Sequence, residues 1–269
     1  MGDSRRGRAL LLASVILLAA FVFVFRPVSE EDGVLKIAVS DDAAGLIISR
    51  AAALSRDKVK VEAGGDISFL KIADCCGSQA EFALAAGKFD LAVLCPDAAA
   101  EFLGSGKPFR VVGEIVRNAN ILVSVHGGPV RSIGYMNGRV LQTRVLAANL
   151  GPSPELQPMM TAALPYALER KAVDAVVLDI LTVVRGEVVY HCRALPYDVP
   201  ASVLVARQDV PDSPAFRSFL TAYNDAVDEL NGDGLAEALS EMIPPEQVKD
   251  KVELWRSMKV SYIPIPAAN

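Results

Sequence analysis

The chain has 269 residues, with 27 Lys and Arg against 32 Asp and Glu for a formal charge of −5, and 52% hydrophobic residues. A mild acidic excess without any basic run argues against a nucleic-acid partner, and the length allows one large domain or two small lobes with cores of their own. The hydrophobic excess is concentrated at the start, where residues 9–25, ALLLASVILLAAFVFVF, run without a charge between SRRGR and SEED.

A basic flank, an apolar run and an acidic flank predict a membrane-targeting segment over residues 1–30, its N-terminus inside the cell and everything after it outside. At 1.5 Å per residue the run is near the lower limit for spanning the hydrocarbon core, so length does not separate a signal peptide from an anchor. The run ends on Phe21, Phe23 and Phe25, without a small-residue cleavage site or a nearby cysteine to be lipidated. That favours an uncleaved anchor on the extracytoplasmic face; cleavage would leave a secreted or periplasmic protein.

From residue 34 short β-rich runs alternate with helical patterns, the syntax of an α/β fold with largely parallel sheets. VLKIAVS (34–40) reads as strand, AAGLIISRAAALS (43–55) as helix, KVKVEA (58–63) as strand and SQAEFALAAG (78–87) as helix. DLAVLC (90–95) is strand, AAAEFLGSG (98–106) a short helix and FRVVGEIVR (109–117) strand. After NANILVSVHGGP a second set begins: SIGYM (132–136) strand, VLQTRVLAANLG (140–151) helix, ALPYALERKA (163–172) helix and DAVVLD (174–179) strand. ASVLVAR (201–207) is a strand, and PAFRSFLTAYNDAVDELN, GLAEALSEM and PPEQVKDKVELWRSM are three closing helices.

GKFDLAVLCPDAA and RKAVDAVVLDILT share one pattern: helix end, turn, Asp, four apolar residues, a polar residue and a new helix. Two similar lobes are therefore expected, one from 31–120 plus 200–269 and the other from 121–199. Paired crossover strands near 119–126 and 199–206 would form the hinge between them.

Ligands of open α/β sheets sit beyond the carboxyl ends of the strands, where loops and helix N-termini converge. In the first lobe this selects Ser40, Asp41 and Asp42, then Asp74, Cys75, Cys76, Gly77 and Ser78, then Cys95, Pro96 and Asp97. In the second it selects Tyr135, Met136, Asn137, Gly138 and Arg139, then Pro158, Met159 and Met160, then Asp179. Asp97 and Asp179 are expected to cap the helices that follow them. Met159 and Met160 read more readily as core than as ligands.

Vicinal Cys75 and Cys76 can bond to each other only as a strained ring, so they are not an ordinary bridge. They open a helix whose dipole favours thiolate, and thiolates are soft ligands for thiophilic metals. Cys75 and Cys76, with Cys95 as a third, are thus candidate ligands for a soft metal or organometal, although Cys95 fits an apolar core as well. Adjacent cysteines lack zinc-site spacing. Cys192, His191 and His126 read as structural.

The order of these segments resembles the type II periplasmic substrate-binding proteins of ABC importers, in the nitrate/taurine/alkanesulfonate-like branch. The resemblance spans about residues 34–265 and is carried by Gly87 to Asp90, SIGYMNGRVLQTRVLAANLG, KAVDAVVLD and VPDSPAFRSFLTAYNDAV. It implies a monomeric, non-catalytic binding protein with no required cofactor, serving an ABC permease and its ATPase. The DCCGS loop looks like a group of such proteins assigned to selenocysteine-assisted organometal transport, which implies an organomercurial or related ligand. The branch's ordinary ligands are the rivals: a sulfonate or nitrate held at the helix N-termini near Ser78 and Gly138 with Arg139 as counter-charge, or a thiamine-precursor pyrimidine, for which only Tyr135 offers stacking. An enzyme on the same scaffold would need His126 or His191 as base to a cysteine nucleophile, and neither falls in a cleft loop. A disulfide-exchange role lacks C-x-x-C spacing.

Overall fold

The computed structural model describes residues 35–55, 59–63, 87–149, 154–186, 190–196 and 198–266. Two mixed sheets carry the fold. The first has the order β11-β4-β10-β3-β1-β2, from β1 (Leu35–Val39), β2 (Val59–Ala63), β3 (Leu91–Leu94), β4 (Phe109–Arg117), β10 (Pro200–Arg207) and β11 (Ser261–Tyr262). The second runs β7-β6-β8-β5-β9, from β5 (Asn120–Ser124), β6 (Ser132–Met136), β7 (Glu155–Met159), β8 (Ala175–Asp179) and β9 (His191–Ala194).

Strands that read as continuous apolar runs sit in the sheet centres. β1, β2 and β3 are mutually parallel, with Ile37 opposite Leu91, and every residue of β3 is buried. β6 is likewise parallel to β7 and β8. A strand covered on both faces has no solvent side to make polar, which is why alternation is missing there.

The helices are α1 (Ala43–Leu54), α2 (Pro96–Gly104), α3 (Val140–Asn149), α4 (Leu164–Glu169), α5 (Ile180–Arg185), α6 (Pro214–Asn231), α7 (Gly234–Ser240) and α8 (Pro245–Ser257). In α6, Phe216, Phe219, Leu220, Tyr223, Val227 and Leu230 recur every three or four residues and are all buried, the stripe that a helix lays on a core. Tyr223 Oη donates to the Ile263 carbonyl at 2.8 Å, and Trp255 packs against Tyr262 with ring centres 6.1 Å apart.

The repeated aspartate has one duty in both halves. Asp90 accepts from the Lys36 N–H at 3.0 Å, and Asp174 from the Arg131 and Ser132 N–H groups at 2.8 and 3.0 Å. Each carboxylate therefore sits before a central strand and fastens the start of the parallel strand beside it.

The chain passes between sheets twice, at Asn118–Ala119 and between β9 and β10. The stretches expected to form a paired crossover do not pair: β5 lies between β8 and β9 in the second sheet, and β10 between β3 and β4 in the first. Asn118 makes the join instead, at φ 60°. Its N–H donates to the Val199 carbonyl and its Oδ1 accepts from the Val199 N–H, both at 3.0 Å. Its Nδ2 donates to Asp198 Oδ1 at 2.9 Å and the Lys259 carbonyl at 3.0 Å.

Pro158 and Met159, expected in a loop, lie in β7; a proline is tolerated there because β7 is an edge strand. β9 is also an edge, short and partly exposed, with no apolar pattern to announce it. Among the described residues no helix is long and apolar enough to cross a membrane; the apolar run at 9–25 lies outside them, as does the helix expected at 78–87 apart from Gly87.

Candidate ligand cleft

The loops after β1, β3, β6 and β8 converge where the two halves meet. After β1, Ser40 Oγ donates to Asp42 Oδ2 at 2.5 Å, while Asp42 Oδ1 caps α1 by accepting from the Gly45 N–H at 3.0 Å. Asp41 reaches across to an ion pair with Arg185 of α5 at 2.5 Å. After β8, Asp179 Oδ1 accepts from Leu181 in its own helix at 2.9 Å and from Ala43 at the start of α1 at 3.1 Å. Burial, and then the neighbouring charge of Asp42, push the Asp179 carboxyl well above its ordinary range, against the pull of the two N–H donors and Arg139.

The expected capping by Asp179 is what the structure contains; that by Asp97 is not. Cys95 takes the capping position of α2, its Sγ accepting from the Ala98 N–H at 3.3 Å. Asp97 Oδ2 instead accepts from the Leu141 N–H at 3.2 Å, in the first turn of α3 in the other half. A proline at the first helical position leaves Asp97 too far into α2 to bend back to its start.

A small cavity of about 20 Å³ lies beside this contact, lined by Asp97, Asn118, Asn120, Arg139 and Gln142 with apolar walls that include Leu195 and Val199. It has room for about one water. Arg139 follows the turn at Asn137 and Gly138, whose φ of 82° suits glycine. Its Nε donates to Met136 Sδ at 3.1 Å, and it makes no ion pair among the described residues. Gln142 is 6% exposed and its Oε1 has no hydrogen-bond partner among the described residues. A buried amide oxygen left unpaired costs about 1–3 kcal/mol.

No protein-family model and no curated protein matches the chain. Solved structures do. The ligand-binding component of an ABC-type import system from Staphylococcus aureus, with zinc bound, aligns over 87% of this chain and 86% of its own at a TM-score of 0.65 and 14% identity. The alkanesulfonate-binding protein SsuA from Xanthomonas axonopodis pv. citri, bound to MOPS, covers 89% of both chains at 0.59 and 16%. The methionine-binding protein MetQ covers 87% of this chain and 99% of its own at 0.56 and 14%. The fold is that of the periplasmic binding proteins.

Within this periplasmic-binding fold the other expected site residues separate. Tyr135 and Met136 end β6 and are half-buried, and Asn137 and Gly138 are exposed in the turn. Cys95 is 5% exposed, in a core cluster with Phe89 and Phe102. Asp74, Cys75, Cys76, Gly77 and Ser78 lie outside the described residues. Among the described residues no three metal-ligating side chains cluster. Cys192 is half-buried in β9 and its thiol is pushed up by burial, while His126 and His191 are exposed; none of the three lines the cavity.

Asn118, Asn120 and Gln142 are cavity residues that the sequence reading missed. Arg139, Gln142 and Val145 recur every third residue and all line the cavity, a helical spacing that could have singled out Gln142. Asn118 and Asn120 are the polar residues in RNAN between two apolar strands.

Proposed function

We propose that this protein is the extracytoplasmic solute-binding component of an ABC importer, a monomer that captures a small ligand between two lobes and delivers it to a permease and its ATPase. In this reading the lobes are 31–120 plus 200–269 and 121–199, and they close by motion about Asn118 and its partner Val199. The N-terminal apolar run holds the protein at the outer face of the membrane, or directs its export. No catalytic step is required.

One observation carries the reading: Arg139, which makes no ion pair among the described residues, lines the cavity between the two sheets together with Asn118, Asn120 and Gln142. That lining suits a small polar ligand with an anionic group for the arginine. The cavity is too small for more than about one water, so the halves part to admit a ligand.

The same binding role for a soft metal or organometal is the second reading, favoured by the vicinal Cys75 and Cys76 of the DCCGS loop. Calorimetric titration of the reduced chain with taurine, nitrate, Zn(II), Cu(I), Hg(II) and methylmercury separates the two. For an anionic ligand, Arg139→Ala should weaken binding about 10–100-fold, the loss of a charge-assisted hydrogen bond, with the Cys75→Ser/Cys76→Ser variant unaffected. For a thiophilic ligand the pattern reverses. Binding of none of these probes would count against both.

A further inference from the structure

Two of the helices that begin at the cleft, α1 and α3, each give an N–H to a carboxyl group of the opposite half. Asp97, on α2 of the first half, accepts from Leu141 of α3 in the second. Asp179, at the end of β8 in the second half, accepts from Ala43 of α1 in the first. The exchange is reciprocal although the two carboxyl groups stand at different positions: Asp179 is the N-cap of α5, whereas Asp97 lies two residues past Cys95, the N-cap of α2. In the second half Asp179 Oδ1 serves its own helix and the other half together. The first half divides the work between Cys95, which caps α2, and Asp97, which crosses over.

We propose that Asp97 and Asp179 form a two-point latch, in which each carboxylate holds the first turn of a helix in the opposite half and the two contacts open and close together. A helix N-terminus offers free N–H groups, so a carboxyl oxygen placed there is held by hydrogen-bond geometry. The chain's own carboxyl oxygens thereby take acceptor positions at the first turns of α1 and α3. A ligand anion is directed to Arg139, and the latch sets how readily the cleft opens.

Two further contacts lie along the same seam. Arg185 pairs with Asp41, and Lys251 of α8 donates to the Val183 and Gly186 carbonyls at the end of α5, at 3.0 and 3.1 Å. The inference rests on the lobes parting as proposed above, but not on what they bind.

Residue-resolved amide hydrogen exchange on the full chain in detergent micelles, with no ligand added, tests it. Asp97→Ala removes one contact. If the contacts form one latch, exchange quickens on the order of fivefold at Leu141 and also at Ala43, which Asp97 does not touch. Asp97→Asn, which keeps an acceptor oxygen, should restore both amides. Exchange in β10 should stay slow throughout, showing that the core is intact. Quickening at Leu141 alone would show two independent caps and overturn the latch. Should Asp97→Ala fail to fold, Arg185→Ala at the seam's exposed ion pair must quicken Ala43 and Leu141 together, and an effect on one without the other overturns the proposal. Because no ligand is used, failure here leaves the binding assignment standing, and failure of the titrations leaves this result standing.

Discussion

Replacing Asn118 with alanine should cost about 3 kcal/mol. The side chain makes three hydrogen bonds, to the Val199 N–H, Asp198 Oδ1 and the Lys259 carbonyl. At about 0.5–1.5 kcal/mol each, with the two exposed bonds at the low end, their loss accounts for about 2 kcal/mol. The backbone at φ 60° adds about 1 kcal/mol, because alanine tolerates the left-handed region less well than asparagine. Asn118→Gly loses the same bonds but suits that φ, so it should cost about 1 kcal/mol less than alanine. For a chain of this size the alanine variant should melt about 6–12 °C lower. Trp255 is the chain's single tryptophan and is 2% exposed, so its fluorescence reports unfolding without a label. Equal melting of the alanine and glycine variants would refute the backbone part of this reasoning. A loss below about 1 °C in both would refute the claim that Asn118 joins the crossings.

The Asp179 carboxyl is raised in the folded protein, so folding favours its protonated form, and stability falls as pH climbs from the ordinary carboxylate range through the raised value. Asp179→Asn keeps a capping oxygen and removes this dependence, so its advantage over the natural chain in urea unfolding should grow from acid to neutral pH and then level off. A Cβ on Gly45 would stand 2.0 Å from the Ser40 carbonyl oxygen, so Gly45→Ala should push α1 off the end of β1 and cost about 1–3 kcal/mol, read by the same fluorescence assay. In the native chain Cys95 should resist alkylation by iodoacetamide. Cys192 should react only at a pH above that of an ordinary thiol, since burial holds it protonated; mass spectrometry of the digested, labelled protein distinguishes the two.

The order of strands and helices was legible in the sequence because it depends on local periodicity: the apolar runs of β1, β3, β8 and β10 and the stripe of α6 announce themselves. The repeated aspartate was legible too, since Asp90 and Asp174 do the same local work. Edge strands β7 and β9 were not legible, because an edge needs no apolar run and even admits Pro158. Nor could sequence say which helix a carboxylate serves. Asp97 lies one residue past a proline and reads as a cap for α2, yet its partner is Leu141, 44 residues away. Tertiary structure alone decided this, and with it the placing of Gln142 and the crossing asparagines at the cavity beside Arg139. Local periodicity fixes what each segment becomes, whereas a contact across the cleft exists only once two sheets, each built from distant segments, are brought together.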